Sequence, residues 1–388
     1  MSDPAIPQLT RESVVAAHKL IEPYVHKTPV LTNTTISKLA SIPRTPAELE
    51  GTEWAGRTPA RPVMRLWFKC ENFQRIGAFK ARGAFHAIEK LKQTPGWLES
   101  GGKEKGVVTH SSGNHAQALS LAAQVNQIPA YIVMPSISPI PKVNATRGYG
   151  AKITFSGSTS VEREAVTASV IASTGAVLIP PYDHPDIICG QGTASLELQD
   201  QVSESLSSPN PPYTSLSSSQ KERSLNAIIT PCGGGGLLSG TALSCSGLPI
   251  KVFGSEPSYE GADDCTRAYN SHPTDAVRIE TVKSLTIGDG LRTPVGKIPW
   301  SIIYERMLVS GMYSVTEDQI KSALKLVYER MKLVVEPSAV VPLAVCLYNE
   351  YFRAMVEKEA GEEGWDIGVI FSGGNIDLGK LGDLLNGA

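Results

Sequence analysis

The sequence has few cysteines, no long apolar segment and almost no excess of charge of either sign. Each of these features argues against a class of protein. Its 388 residues contain six cysteines without any C-x-x-C spacing, which disfavours both a disulfide framework and a zinc site. The thiols are therefore expected to be reduced and mostly buried. They are Cys70, Cys189, Cys232, Cys245, Cys265 and Cys346.

No segment is long and apolar enough to span a membrane, and the first residues form neither a basic segment nor an apolar leader. The 36 basic and 38 acidic side chains nearly cancel, to a formal net charge of −2, and no Lys/Arg run is present. This balance argues against nucleic acid or an anionic membrane surface as a partner. We therefore expect a cytoplasmic protein.

Short apolar segments alternate with helix-length segments from Gly106 onward, and the chain is long enough for two compact lobes. This alternation predicts an α/β fold in which helices cover both faces of a mostly parallel sheet. The predicted strands comprise residues 107–109, 130–134, 153–155, 176–179, 225–230, 250–254 and 367–371.

Three further segments have a recognisable pattern. Residues 41–63 are rich in proline and mixed charge, which predicts an exposed insertion, and residues 203–223 are rich in serine and proline, which predicts a long solvated loop. Residues 11–25 have the periodicity of an amphipathic helix. A capping box at Thr316 predicts the start of another helix.

Lys80 follows an apolar segment that ends at Phe68 and a polar turn that ends at Gly77. Helical periodicity begins at Phe79, so Lys80 is expected at the start of a helix just beyond a strand. Parallel α/β sheets present ligand-binding groups at such positions. On position alone an ordinary surface lysine is the simpler interpretation, and the next two segments change that balance.

A second predicted strand leads into Ser111-Ser112-Gly113-Asn114-His115 at the start of a helix. The backbone N–H groups of a helix start, together with neighbouring hydroxyls, can bind a carboxylate. The alternative is an ordinary N-cap that Ser111 or Ser112 supplies to the helix.

Four consecutive glycines, Gly233 to Gly236, lie between a predicted apolar strand and an apolar helix that begins near Leu237. Consecutive backbone N–H groups can turn inward there and form a nest that suits a phosphate dianion. The spacing matches neither G-x-G-x-x-G nor a Walker loop. A flexible linker is the alternative, although linkers rarely join a strand directly to an apolar helix.

With the late segment Ser372-Gly373-Gly374-Asn375, these motifs resemble the fold-type II pyridoxal-phosphate enzymes, in the branch of serine/threonine dehydratases and serine racemases. The resemblance covers nearly the whole chain. It implies a fold similar to the tryptophan synthase β subunit, with two three-layer α/β/α domains and mostly parallel sheets. Residues 1–105 and 184–388 would form the large cofactor-binding domain, and residues 106–183 a small mobile domain.

The resemblance implies a role for each motif. Lys80 would bind pyridoxal 5'-phosphate as a Schiff base, beside Phe79, and would later remove the Cα proton of the substrate. A free lysine titrates near 10.4, so burial or a positive dipole must favour the neutral amine. The other implied cofactor ligands are Asn114 for the ring hydroxyl, Ser372 for the ring nitrogen, and Gly233, Gly234, Gly235, Gly236 and Leu237 for the phosphate.

The implied reaction removes water from L-serine or L-threonine and yields a 2-oxo acid and ammonia. Ser112 would also reprotonate Cα on the face opposite Lys80, which gives serine racemisation as a second expected activity. The alternative for Ser112 is a turn hydroxyl without a role in proton transfer. The implied ligands of the substrate carboxylate are Ser111, Ser112, Asn114 and His115.

The resemblance also implies a divalent cation, Mg²⁺ or else Ca²⁺ or Mn²⁺. Glu256, the backbone carbonyl of Ala262 and Asp264 would bind it, since these ions prefer hard oxygen ligands. The segment between the glutamate and the Ala-Asp-Asp sequence is two residues longer than in the racemase pattern. Acidic residues in a solvated turn are the alternative.

Other functions remain open at this point. A 3-hydroxyaspartate ammonia-lyase or aspartate racemase is the alternative within the branch, and Arg163 is its candidate ligand for a second carboxylate. A β-replacement synthase of the cysteine or cystathionine type would keep the same lysine and glycines. A phosphate-ligand sensor without catalysis is disfavoured because Lys80 and Asn114 are both present. The resemblance implies a homodimer that acts on a small amino acid.

Overall fold

The computed structural model describes residues 8–111, 113–138, 140–213 and 223–385, and within these ranges the strands form two sheets. The strands are β1 Val30–Thr32, β2 Met64–Cys70, β3 Val107–His110, β4 Ala130–Pro135, β5 Lys152–Ser156, β6 Val177–Leu178, β7 Leu225–Pro231, β8 Lys251–Pro257, β9 Gly311–Val315 and β10 Trp365–Phe371.

The α-helices lie between these strands and on both sides of the larger sheet. They are α1 Arg11–Ile21, α2 Thr34–Ser41, α3 Pro46–Leu49, α4 Lys80–Lys92, α5 Gly102–Lys105, α6 Asn114–Val125, α7 Ile140–Gly148, α8 Ser160–Thr174, α9 Pro185–Leu206, α10 Gly236–Cys245, α11 Asp264–Tyr269, α12 Lys297–Trp300, α13 Glu317–Leu326, α14 Pro337–Tyr348, α15 Glu350–Ala360 and α16 Leu381–Leu385.

The larger sheet has the strand order β1-β2-β10-β7-β8-β9 and is parallel except for β1, which pairs antiparallel with β2. The smaller sheet has the order β5-β4-β3-β6 and is parallel throughout. The prediction of an α/β fold with mostly parallel sheets is therefore confirmed. The smaller sheet uses only strands between residues 107 and 178, while the division into a large and a small domain stays a prediction.

The parallel order places the carboxyl ends of β2, β10, β7 and β8 side by side at one edge of the larger sheet. The chain leaves β2, β10 and β7 toward Lys80, Ser372 and the glycine run, respectively, and Glu256 is the penultimate residue of β8. This order brings together segments that lie up to about 300 residues apart in sequence. Ligand sites of parallel sheets form at such an edge.

The predicted strands are all present, with bounds shifted by one to three residues. The prediction missed β1 and β9, which lie at the two edges of the larger sheet; all of β1 and the middle of β9 are only partly buried, which weakens the apolar pattern. The predicted loop at 203–223 was wrong at its start, because α9 continues to Leu206 with Val202 buried on its inner face. Residues 214–222 lie outside the described residues.

Two smaller predictions have different outcomes. The capping box at Thr316 is confirmed, since Thr316 and Gln319 exchange side-chain and backbone hydrogen bonds of 2.9 and 3.3 Å. The first helix is shorter than predicted and ends at Ile21. Among the described residues, no helix has the length and apolar character needed to cross a membrane.

The helices behind the site pack unusually closely through glycines. A Cβ atom on Gly190 of α9 would lie 2.6 Å from the Cα of Gly83 in α4, and one on Gly240 of α10 would lie 2.5 Å from the N of Gly192 in α9. These approaches leave no room for a larger residue. Helix α9 thereby holds α4, which begins with Lys80, and α10, which follows the glycine run, in fixed positions.

A buried cluster of four charged side chains joins β2, α4 and α9. Arg82 donates to both Glu71 and Glu197 over 2.8 Å, and Lys69 donates to Glu197 over 2.6 Å. None of the four is more than 3% exposed. Two cations and two anions cancel, and this balance allows their burial, since an unpaired buried charge is strongly destabilising.

Candidate active site

Lys80 is the first residue of α4 and lies where β2 and β10 end. The backbone N of Phe79 donates to the backbone O of Ser372 over 3.0 Å, and Ala78 forms a β-bridge with Gly373. The partly buried Lys80 side chain turns inward, and its Nζ donates to the backbone O of Pro181 over 2.7 Å. The amine therefore does not point into bulk solvent, as it would on an ordinary surface lysine.

Burial lowers the pKa of Lys80 to about 8, because loss of hydration disfavours the ammonium form. The nearby carboxylate of Glu336 acts in the opposite direction and raises this pKa. The net result is an amine that is neutral in a large fraction of molecules at mildly alkaline pH. Neutral amines are the form that attacks an aldehyde.

Gly233 to Gly236 form a buried turn between β7 and α10, and buried Leu237 follows. Gly235 has a φ of +84°, a left-handed conformation that residues with a side chain rarely adopt. A Cβ on Gly234 would lie 2.2 Å from the Cγ of Tyr182. The turn therefore presents bare backbone at the N-terminus of a ten-residue helix, where backbone N–H groups favour an anion.

The segment Pro181-Tyr182 connects the lysine to the glycine turn. Pro181 accepts the hydrogen bond from Lys80, and the ring of Tyr182 packs against Gly234. The amine and the anion-binding turn therefore contact two consecutive residues of one segment. The contact of Tyr182 with Gly234 has no local signal in the sequence, because the two residues are more than 50 positions apart.

Asn114, the first residue of α6, belongs to a chain of polar side chains. Its Nδ2 donates to the Oε1 of Glu336 over 3.0 Å, and its Oδ1 accepts from the Nδ2 of Asn375 over 2.8 Å. Burial, with the nearby charge of Asp289, raises the pKa of Glu336 to about 7. Glu336 is therefore able to exchange a proton near neutral pH.

Sequence analysis missed Glu336. The only local sign is that it immediately precedes the apolar helix α14. Its backbone N donates to the backbone O of Gly373 over 3.0 Å, and a Cβ on Gly373 would lie 2.9 Å from its Oε1. A single acidic residue before a helix is too common a pattern to identify a site.

The remaining predicted residues near α6 are placed as follows. Ser372 is buried at the end of β10, and the Oγ of Ser111 accepts from the backbone N of Gly113 over 3.3 Å, as in a local turn. Buried His115 has its Nε2 3.2 Å from the backbone O of Ile179, and burial lowers its pKa to about 3. Its imidazole is therefore neutral at pH 7. Ser112 lies outside the described residues.

The three predicted metal ligands belong to the end of β8 and the segment that follows it: Glu256 is the penultimate residue of β8, and Asp264 is the first residue of α11. Glu256, Asp264 and Ala262 are buried, with at most 1% of each exposed, so the two acidic residues do not belong to a solvated turn. Burial and the neighbouring Asp264 raise the pKa of Glu256 well above its usual value, and burial raises that of Asp264 to about 6. A bound cation would offset the cost of burying these carboxylates.

The residues around Lys80 fit pyridoxal phosphate. The lysine has a lowered pKa, as an amine that must react with an aldehyde requires. The glycine turn offers backbone N–H groups without Cβ atoms for the phosphate. Asn114 and Ser372 supply polar groups at neighbouring strand ends and helix starts.

Comparison with known proteins decides the family. A sequence model of the family described as "Pyridoxal-phosphate dependent enzyme" matches residues 51–373. The chain belongs to this family. Pyridoxal phosphate is thus the cofactor of the chain, and the fold is the one that its fold-type II members share.

Members of this family that are similar to the chain include racemases and ammonia-lyases. Serine racemase of Dictyostelium discoideum is 42% identical over 381 residues, which cover 97% of this chain and 98% of the relative. L-threo-3-hydroxyaspartate ammonia-lyase of Saccharomyces cerevisiae is 36% identical over 381 residues, which cover 97% of each. The solved structure of maize serine racemase matches with a TM-score of 0.77 at 36% identity and covers 97% of both chains.

Proposed function

We propose that the chain is a cytoplasmic ammonia-lyase that converts L-serine or L-threonine to a 2-oxo acid and ammonia, and that it also racemises serine. The observation that supports this most strongly is the inward-turned amine of Lys80, with a pKa of about 8, next to the glycine turn. The similarity to serine racemases over nearly the full length supports the substrate class.

The bound cofactor supplies an electron-withdrawing ring that acidifies the Cα–H bond of an amino acid. Lys80 would hold the cofactor and, as a neutral amine, would accept the Cα proton of the substrate. The glycine turn and the N-terminus of α10 would hold the phosphate. Ser372 would offer the ring nitrogen a hydroxyl, which would not keep that nitrogen protonated as a carboxylate would. That environment suits β-elimination, in which the charge leaves with the hydroxyl group.

Hydrogen bonds orient the side chain of Asn114, which would contact the cofactor. Asn375 donates to Asn114 Oδ1 over 2.8 Å and to the backbone O of Ile76 over 2.7 Å. This fixes the amide orientation, so the Nδ2 of Asn114 faces Glu336. Glu336, which titrates near neutrality, can adjust its charge as the cofactor and substrate bind.

The test of this function combines spectroscopy with a substrate panel. The purified protein should show a visible absorbance band that borohydride abolishes, as expected for a cofactor bound to a lysine. L-Serine and L-threonine should then release 2-oxo acid and ammonia. A colourless protein that forms no 2-oxo acid after addition of pyridoxal phosphate would contradict the proposal. Product formation only with an added thiol would indicate β-replacement.

A 3-hydroxyaspartate ammonia-lyase is the second candidate, and one observation favours it. Burial raises the pKa of Tyr182, and the positive charge of Arg163 in α8 acts in the opposite direction. A cation on this side of the site suits a substrate with two carboxylates. Faster turnover of 3-hydroxyaspartate than of L-serine would favour this candidate.

The pH dependence of cofactor uptake tests the environment of Lys80. The ammonium form below pH 8 does not react, and the neutral amine above pH 8 does, so the rate of uptake by the apoprotein should rise with pH to a plateau. The midpoint should lie at about 8 rather than at the usual 10.5. Between pH 6 and 9 the neutral fraction rises from roughly 1% to roughly 90%. The measurement is the initial rate at which the visible band appears.

The control is pyridoxal phosphate with Nα-acetyl-lysine, whose ε-amine is free. The midpoint of this reaction should lie near 10.4, the usual lysine value. The Glu336→Gln variant should have a midpoint lower than that of the wild type, because the carboxylate that stabilises the ammonium form is gone. A wild-type midpoint above 10 would contradict the assigned environment of Lys80.

Replacement of Ser112 separates the two proposed activities. Ser112→Ala should abolish racemisation, by about 10²-fold or more, because the proton donor on the second face of Cα is lost. Elimination from L-serine should remain. The measurements are D-serine formation by chiral chromatography and 2-oxo acid release. Ser111→Ala is the matched control and should weaken both reactions equally, so equal losses in Ser112→Ala would reject the role of Ser112.

The proposal includes a hard divalent cation, a homodimer and the two-domain division given above. Mg²⁺ would bind to Glu256, Asp264 and the carbonyl of Ala262, and the burial of both carboxylates supports this site. Between these residues, the turn Tyr259–Gly261 contains Glu260 with a φ of 50°. The charge of Asp264 contributes to raising the pKa of Glu256, and a shared cation would offset this repulsion.

A further inference from the structure

Three buried side chains with different ligand atoms meet directly behind the glycine turn. Cys232 Sγ, Cys265 Sγ and a carboxylate oxygen of Glu256 all lie within 4.8 Å of one another. Each of the three residues is 0% exposed. The established chemistry of the family, as derived above, uses neither thiol.

The fold brings these residues together through strand pairing. Cys232 directly follows β7, and its backbone N donates to the backbone O of Ser255 in β8 over 2.8 Å. Glu256 is the next residue of β8, and Cys265 lies in the first turn of α11. The positions differ by 24 and 9 residues, so no local cysteine spacing marks the cluster in the sequence.

The donor set selects a type of metal. Two thiolates and one carboxylate are ligands that Zn²⁺ accepts in tetrahedral geometry, with Zn–S near 2.3 Å and Zn–O near 2.0–2.2 Å. Two sulfur atoms bound to one such ion lie about 3.8 Å apart. This distance is compatible with the two Sγ atoms here, which lie within 4.8 Å of each other. Magnesium and calcium disfavour sulfur. We propose that Cys232, Cys265 and Glu256 form a binding site for a thiophilic dication of the zinc class, with water as the fourth ligand.

Hydrogen bonds already orient the carboxylate of this site. Glu256 accepts from the backbone N of Cys265 over 3.3 Å and from both the backbone N and the Oγ1 of Thr266 over 2.7 Å. Such contacts hold a metal ligand in place and leave further lone pairs of its oxygens available. The site is thus partly organised before a metal binds.

Zinc at this site would act on the glycine turn. The thiol of Cys232 donates to the backbone O of Gly233 over 3.5 Å, and this contact is lost when the thiol gives up its proton to bind zinc. Glu256 is also a ligand of the proposed magnesium site, and to that extent the inference rests on the proposed function. Zinc and magnesium then compete for the carboxylate of Glu256. Which of the two ions is bound would therefore affect the contact between Cys232 and the phosphate-binding turn.

The wild-type holoenzyme with one equivalent of Zn²⁺ gives the first test, by X-ray absorption at the zinc edge. We expect about two sulfur neighbours near 2.3 Å and oxygen neighbours near 2.0–2.2 Å. A shell that contains only oxygen or nitrogen would overturn the inference. This measurement needs no variant and does not depend on turnover. A negative zinc result would therefore leave the ammonia-lyase proposal intact. Conversely, the zinc result could still be interpreted if the protein had no ammonia-lyase activity.

Cobalt provides the second test, because Co²⁺ bound to thiolates gives an intense charge-transfer absorbance. Addition of Co²⁺ to the wild-type holoenzyme should produce this band, and Cys232→Ser and Cys265→Ser should each lose it. Cys346→Ser is the matched control, since Cys346 is equally buried but lies in α14 outside the cluster, and it should keep the band. A band that persists in both cluster variants would overturn the inference.

Discussion

Lys80→Ala should abolish the visible absorbance of the holoenzyme and lower kcat for 2-oxo acid formation by about 10⁴-fold. The variant loses the inward-turned amine that donates to Pro181, and with it the proposed base for the Cα proton. The Lys80 side chain takes no part in two other hydrogen bonds of the site, from the backbone N of Phe79 to the backbone O of Ser372 and from Asn114 to Glu336. These hydrogen bonds should therefore remain in the variant. The measurements are the absorbance spectrum and the steady-state rate with L-serine.

Lys90→Ala is the matched control for this variant. Lys90 lies in the same helix, but it is exposed in the last turn, away from Pro181 and the glycine turn. Its replacement should leave the spectrum and the rate within about twofold of the wild type, as for other exposed positions. A Lys80→Ala protein that keeps both the band and the rate would remove the basis of the proposed function.

Arg82→Met should destabilise the fold by about 3–5 kcal/mol, the usual effect of removing one partner from a buried ion pair. Arg82 donates to Glu71 and to Glu197, and its loss leaves those two carboxylates with Lys69 as the only cation of the cluster. The cluster joins β2 to α4 and α9, so the start of α4 that carries Lys80 should also lose its fixed position. The measurement is the free energy of unfolding in urea, followed by far-ultraviolet circular dichroism.

Lys27→Met is the control for the loss of a cation at the surface. Lys27 and Glu204 form an ion pair of 3.9 Å in which the side chains are 58% and 69% exposed. Exposed pairs of this kind contribute about 0–1 kcal/mol, so the change should be small. If Arg82→Met and Lys27→Met changed stability equally, the buried cluster would have no special role in the fold.

The fold and the centre of the site were largely predictable because their signals are local. Alternating apolar and helical segments predicted the strands, and a strand followed by a turn and a helix placed Lys80 and the glycine run at strand ends. The edge strands β1 and β9 were missed, since β1 has only three residues, all partly buried, and β9 has the polar or partly buried residues Tyr313 and Ser314 between its buried ends. The start of the predicted loop at 203 was wrong, because burial of Val202 extends α9 despite the polar composition that follows.

Glu336, Tyr182 and the cluster of Cys232 with Cys265 were not predictable in this way. Each acts through partners distant in sequence: Asn114 for Glu336, Gly234 for Tyr182, and each other for the two cysteines. The scattered cysteines predicted no metal site, because spacing rules detect only ligands that are close in sequence. The structure confirms that all six thiols are free and buried, while it places two of them beside a carboxylate.

The sequence by itself determined which segments become strands and helices and which residues stand at their ends, since apolar periodicity, capping residues and glycine conformation act over a few residues. Only the tertiary structure decided which strand ends are neighbours. The order β2-β10-β7-β8 is set by how the helices and strands pack into one core, and no local pattern encodes it. That order brings Lys80, Ser372, the glycine turn and the end of β8, which carries Glu256, to one edge of the sheet.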